Sequence, residues 1–222
     1  MTYNTIKEAC TGEIVEKKSR FIANAVHVEN EAEAEEFIAK MRKKYYDARH
    51  NCYAYVLGNG ADSIFKVSDD GEPSRTAGMP MLEVIKGRNI TNVVMVVTRY
   101  FGGTLLGTGG LIRAYSAAAQ ETLDGAEITR CIEGIYAEVN IPYTLKSKFE
   151  YEFGKLAEKC EKSMEAGEEA GYLKQVECNY TDKVSYKLFE TADRKEEVDV
   201  LLREMSGGSI TQENEAKGTY KL

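Results

Sequence analysis

The stretch "NVVMVVTRYF" (Asn92 to Phe101) carries apolar residues on both of its strand faces. A strand that faces water on one side alternates apolar and polar, so this one reads as the central strand of a sheet. It runs into "GGTLLGTGG", which holds five glycines, and then into the Ala-rich "LIRAYSAAAQETLDGA" (Leu111 to Ala126). Leu111, Ile112, Tyr115 and Ala119 make one face of a helix there, and Gly125 is placed to cap its C-terminus. A buried strand, a glycine-rich turn and a packed helix are thus fixed in sequence.

The neighbouring segments fill in the unit. "SRFIANAVHV" (Ser19 to Val28) alternates as a strand. Asn30 reads as an N-cap with Glu33 three residues on, and Phe37, Ile38, Met41 and Tyr45 follow at helical spacing. "HNCYAYVLG" and "SIFKVSDD" read as strands around the turn "GNGAD", and Ala77 to Arg88 as a short helix ended by Gly87. The order expected is strand, helix, strands, helix, strand, helix. A second pattern starts near Arg130. "IYAEVNI" is a strand, Thr144 caps a helix with Leu145, Phe149, Phe153 and Leu156, and "YLKQVECNY" pairs with "VSYKLF" across "TDK". Thr191 caps a further helix that Gly207 and Gly208 end, and "SITQE" supplies a last strand. That βαββαβ order is the ferredoxin-like plan. The expectation is an α+β chain of two two-layer sandwich domains, residues 1–126 and 130–222.

The composition narrows the function. With 222 residues, 43% of them apolar and three prolines, the chain has the material for packed cores and none for long disordered linkers. "VVMVV" is its longest aliphatic stretch, too short to span a bilayer, and "MTYNTIKEAC" lacks a signal-peptide layout. A cytoplasmic protein with no membrane partner is expected. Five scattered cysteines and two histidines make neither a CxxC pair nor a zinc set, so reduced thiols and no metal or other cofactor are expected. The net charge of −7 argues against wholesale nucleic-acid binding, yet the acidity is uneven. Up to Ala126 there are 15 Lys+Arg against 16 Asp+Glu, with five of those acids clustered at Glu29 to Glu36; beyond it there are 14 against 20.

Three constellations could carry chemistry. Gly107, Gly109 and Gly110 open a helix beside Arg113, while Arg99 ends the preceding strand; together they suit an anion at a helix N-terminus, or a plain turn in which Gly102 and Gly103 supply positive φ. "SDDGEPSRTAG" offers Asp69, Asp70 and Glu72 with Ser74, Arg75 and Thr76. That is ordinary turn chemistry, or a Mg²⁺ site beside a phosphate. "DARHNCYAYV" interleaves Arg49 and His50 with Tyr53 and Tyr55, as single-stranded nucleic acid requires and as a half-buried strand also would. Lys17, Lys18 and Arg20 add charge ahead of the first expected strand.

"KKSRFIA", "HNCYAYV", "DDGEPSRTAGMPML" and "VVTRYFGGTLLGTGGLIRAYSAA", in this order, resemble the YigZ/IMPACT family over about residues 17 to 124. The remainder resembles the small C-terminal domain of its bacterial members. The resemblance implies halves similar to domains IV and V of elongation factor G, the first of β3αβα type, and a cytosolic protein linked to translation. Its motif positions fall on His50, Asp69, Asp70, Gly71, Glu72, Ser74, Thr76, Gly78, Arg99, Gly102, Gly103 and Arg113. Many relatives have glycine where Arg75 stands, and Arg or Lys at Met79. Eukaryotic relatives act in translational control through an additional domain, so that role need not carry over. The function expected is a non-enzymatic RNA- or ribosome-binding regulator: Arg49, Arg75, Arg99 and Arg113 on phosphates, Gly102 to Gly110 allowing close approach, His50 and Tyr100 against bases. The alternatives are a nucleotide-binding enzyme using the acidic loop with Mg²⁺ and a module for a protein partner. Oligomeric state is left open.

Overall fold

The computed structural model describes residues 2–60, 63–166 and 171–222; Ala61 and Asp62 of the expected "GNGAD" turn lie outside them. Contacts divide the chain into Tyr3–Arg130 and a second unit of Cys131–Leu222 with Thr2.

In the first unit, β1 (Thr2–Ile6) is followed by β2 (Cys10–Glu16), β3 (Ser19–His27), α1 (Glu31–Lys44), β4 (His50–Leu57), β5 (Ile64–Ser68), α2 (Gly78–Gly87), β6 (Val93–Tyr100) and α3 (Gly107–Asp124). The sheet runs β2-β3-β6-β4-β5 with every neighbour antiparallel. The strand that is apolar on both faces, β6, lies in its middle. Val93, Met95 and Val97 pack with α2 and α3, through Leu82, Ile85, Leu111 and Tyr115. Val94 and Val96 pack with Ala34, Ile38 and Met41 of α1 on the opposite face. The sheet therefore has a single-helix layer beyond the two layers that the sequence suggested. Asn30 accepts a hydrogen bond from the Glu33 N–H while the Glu33 carboxylate accepts from the Glu29 N–H, so α1 opens on reciprocal capping.

Two expectations need correction here. β2 was not foreseen, because its turn to β3 uses Lys17 (φ 45°) and Lys18 (φ 67°) in place of the Asn-Gly that marks tight hairpins. And α3 starts at Gly107, four residues before the expected Leu111, so Gly109 and Gly110 lie within its first turn and Arg113 in the second. Its C-cap is Gly125 as expected, in a right-handed conformation (φ −85°).

The second unit is β7 (Ile128–Ile141), whose first residues belong to the first unit, a 3₁₀ turn (Tyr143–Leu145), α4 (Lys146–Glu165), β8 (Leu173–Tyr180), β9 (Val184–Glu190), α5 (Lys195–Ser206) and β10 (Glu213–Lys221). The strand order β8-β9-β7-β10 is antiparallel throughout, the ferredoxin-like arrangement. Val139, Ile141, Tyr186 and Leu188 meet Phe149 and Phe153 of α4 and Val198 and Leu202 of α5 on one face. At the far edge Cys131 stands opposite Lys221.

Gly207 ends α5 as expected, in the left-handed conformation (φ 62°), but the two threonine N-caps fail for physical reasons. The 3₁₀ turn takes up Thr144, and neither α4 nor α5 has a side-chain N-cap. Thr191 is buried and accepts instead from the Tyr172 N–H at 2.8 Å, tying β9 to the start of β8. The last strand begins at Glu213, the final residue of "SITQE", and runs on to Lys221.

At the end of β9, Glu190 is fully buried, and its Oε1 has no hydrogen-bond partner among the described residues. Its Oε2 accepts from Gln212 at 3.3 Å, and the same amide donates to Asp199 at 3.2 Å. Burial pushes this carboxyl up to about 7; Asp199 and Glu215 push the same way, against Gln212 and Lys195. A carboxyl raised in the folded state binds its proton more tightly than in the unfolded chain. Stability is therefore highest below the ordinary value and declines as pH rises toward 7. Between pH 4.5 and 8 the loss is on the order of 3 kcal/mol. Urea denaturation of Glu190→Gln should show a shallower decline over that window than the parent chain; parallel pH profiles would refute the assignment.

Candidate nucleic-acid interface

Cross-strand register places His50 opposite Arg99 on one side and Phe21 opposite Arg99 on the other. Side chains alternate along a strand, so all three project to the α2/α3 face, at the end where β6 leaves the sheet. Arg99 does not reach solvent. Its Nη1 donates to Glu72 Oε1 at 2.7 Å, with the two side chains only 7% and 4% exposed. The Tyr115 hydroxyl of α3 donates to the same Oε1 at 2.9 Å. The guanidinium lies 5.5 Å from the Phe21 ring centroid and 5.6 Å from that of Phe101, within cation–π range. Arg99 is a buried strut. The anion-contacting role expected for it is corrected, because its charge is already neutralised and enclosed.

The acidic loop is equally committed. Asp69 Oδ1 accepts from the Ala77 and Gly78 N–H groups, both at 2.9 Å, and its Oδ2 from the Arg75 N–H at 2.7 Å. It supplies the negative charge at the start of α2 that the helix's own cap residue lacks. Asp70 (φ 41°) accepts from the Asn51 N–H at 2.7 Å and pairs with Arg42 at 3.3 Å. Its carbonyl accepts from His50 Nδ1 at 2.9 Å, which makes Nδ1 the protonated ring nitrogen. The Thr76 hydroxyl, buried, donates to the Pro73 carbonyl at 2.7 Å, and Ser74 is exposed. The three carboxylates are thus turned to separate protein donors, and among the described residues no three His, Cys, Asp or Glu groups converge on one point. The geometry does not support the expected alternative of a Mg²⁺ loop. Cys52 lies beneath, its sulfur 3.0 Å from the Asp69 carbonyl, and burial pushes its thiol far up. It is no nucleophile.

The outer surface of this end differs in kind. Lys17, Lys18, Arg49, Arg75 and Arg113 are all exposed, and none makes an ion pair among the described residues. Lys17 and Lys18 are brought there by Gly102. A Cβ on Gly102 would sit 2.0 Å from the Lys18 carbonyl carbon, so only glycine lets the two loops touch. The Gly102 N–H donates to Ser19 Oγ at 3.1 Å. Gly103 (φ 85°) and Gly107 (φ 71°) carry the chain on into α3. Gly109 faces Arg113, Nη1 of which would lie 3.6 Å from a Cβ there, and Gly110 is buried against Leu106. Tyr100 does not join this surface. It points to the opposite sheet face and its hydroxyl donates to Asp47 at 2.7 Å, which corrects the base-packing role expected for it. The aromatic that does stand here is Phe101, 56% exposed, with Leu105, 83% exposed, on the same loop. The sequence reading passed over both. An apolar pair between glycines was the available signal.

The Impact N-terminal domain profile matches residues 17–123. A Haemophilus influenzae IMPACT family member is 41% identical over 155 residues, which is 69% of this chain and 70% of the relative. The chain belongs to the IMPACT family. IMPACT family member YvyE of Bacillus subtilis is 55% identical over 123 residues, 55% of this chain. That match spans only 56% of the relative's length. A crystal structure described as that of a hypothetical protein superposes with a TM-score of 0.65 at 30% identity, covering 95% of this chain and 96% of that one.

One residue of the loop stands on an unusual backbone. Arg75 has φ 63°, the left-handed region that glycine enters freely and other residues do not. It is held there by the bond from its N–H to Asp69. Arg75→Gly should therefore raise stability by about 1 kcal/mol, read as a higher urea midpoint at unchanged slope. The opposite result is expected of Arg99→Gln. Leaving Glu72 charged, buried and unpaired should cost about 3–5 kcal/mol. A change below 1 kcal/mol in equilibrium unfolding would show that the strut is not needed.

Proposed function

We propose that this IMPACT family chain is a non-enzymatic, translation-linked regulator that holds RNA, free or on the ribosome, through the basic end of its first unit. The observation that carries the reading is Arg75. An exposed cation without an ion-pair partner among the described residues sits on a backbone conformation that disfavours it, fixed by a carboxylate that accepts its N–H. Strain of this sort persists where the surroundings enforce it and clusters at sites that do work. Lys17, Lys18, Arg49 and Arg113 are exposed at the same end of the sheet, which gathers cations although the chain as a whole is negative. Contacts from such groups to phosphates position a ligand without reading its sequence. The link to translation comes from the family resemblance, whose two halves are similar to elongation factor G domains IV and V. Among the described residues no helix is long and apolar enough to cross a membrane.

Arg113 gives the cleanest test, because it is exposed and bonded to nothing among the described residues. Arg113→Gln should leave the melting temperature unchanged. Binding to RNA or ribosomes should weaken, and the slope of log K against log salt should shrink by just under one unit. Affinity and slope that match the parent chain in both Arg113→Gln and Arg75→Gly would remove the reading.

A further inference from the structure

We infer that the RNA held at this surface is single-stranded and that Phe101 stacks on one of its unpaired bases. This rests on the RNA-binding reading and adds to it the ligand's strandedness and the residue that selects it. Phe101 follows the last residue of β6, and more than half of its surface is open although it is large and apolar. Leu105, four residues on, is more exposed still. Two such side chains on one short loop would ordinarily be buried.

The ring is also placed for a purpose other than core packing. The Arg99 guanidinium lies 5.6 Å from its centroid and is itself fixed by Glu72 and by the Phe21 ring. Gly102, immediately after it, is clamped to Lys18 and Ser19. A ring with its backbone pinned and a cation beside it loses little freedom when a base lies against it. The exposed cations at this end of the sheet, none with an ion pair among the described residues, complement the phosphates on either side of that base. Duplex RNA keeps its bases stacked inside, and its deep major groove admits no side chain, so it would meet the cations alone and leave Phe101 unused. A single strand meets both: base on aromatic, phosphate on cation.

The test measures fluorescence anisotropy of the full chain with a labelled 12-nucleotide oligouridine and with a 12-base-pair RNA duplex, from 50 to 200 mM salt. The single strand should bind at least tenfold more tightly. Phe101→Ala should weaken it by roughly 5- to 150-fold, the range for loss of one base stack. The salt slope should stay as it was, because no phosphate contact is lost. Phe101→Tyr should retain most of the affinity. Phe101→Leu, which keeps apolar bulk without a π face, guards against a folding defect and should behave as the alanine variant does. Equal affinity for the two RNAs, or a Phe101→Ala variant that binds as the parent does, overturns the inference and leaves the basic-surface reading standing. No binding of either RNA at 50 mM salt removes that reading and the inference together.

Discussion

The buried pair of Arg99 and Glu72 decides what the first unit can present to its surroundings. One charge comes from the end of the central strand and the other from the loop between β5 and α2, with the Tyr115 hydroxyl of α3 on the same carboxylate oxygen. Three elements distant in sequence are thereby fixed at one point. A pair enclosed in this way adds little net stability over a well-packed apolar substitute, because desolvation consumes most of its attraction. Its value is geometric. It holds the 69–78 loop so that Asp69 can serve α2 and Arg75 can stand outward.

Around that pair the residues sort into two shells of opposite character. The inner shell spends its polar groups on itself: Asp69 on backbone N–H groups, Asp70 on Asn51 and Arg42, His50 on a carbonyl. Outside it, Lys17, Lys18, Arg49, Arg75 and Arg113 keep their side-chain charges free of ion pairs among the described residues, with Phe101 exposed beside them. An acidic loop that looks like a cation site in sequence is therefore scaffold, and the cations flanking it form the surface.

Periodicity and local chemistry made much of the architecture legible. "NVVMVV" could only be a central strand, Asn30 with Glu33 declared a helix start, and alternation in "IYAEVNI" and "VSYKLF" gave the second unit its βαββαβ order. What stayed hidden depended on partners far away in sequence. Lys17-Lys18 does not look like a hairpin turn until Gly102 is seen packed against it. Thr191 is a plausible cap until Tyr172 claims its hydroxyl. Arg99 and Tyr100 are adjacent, and only the strand's alternation separates a buried strut from a residue bonded to Asp47 on the other face. At the candidate site the sequence named the residues, while the contacts of each charge awaited its neighbours.

The pairing of β10 with β7 has a consequence for how the second unit comes apart. Cys131 stands across the ladder from Lys221, so the strand that opens the βαββαβ order and the strand that closes it are hydrogen-bonded neighbours. Fraying at one of them strips the ladder from the other, and the two are lost or kept together, as the teeth of one zip are.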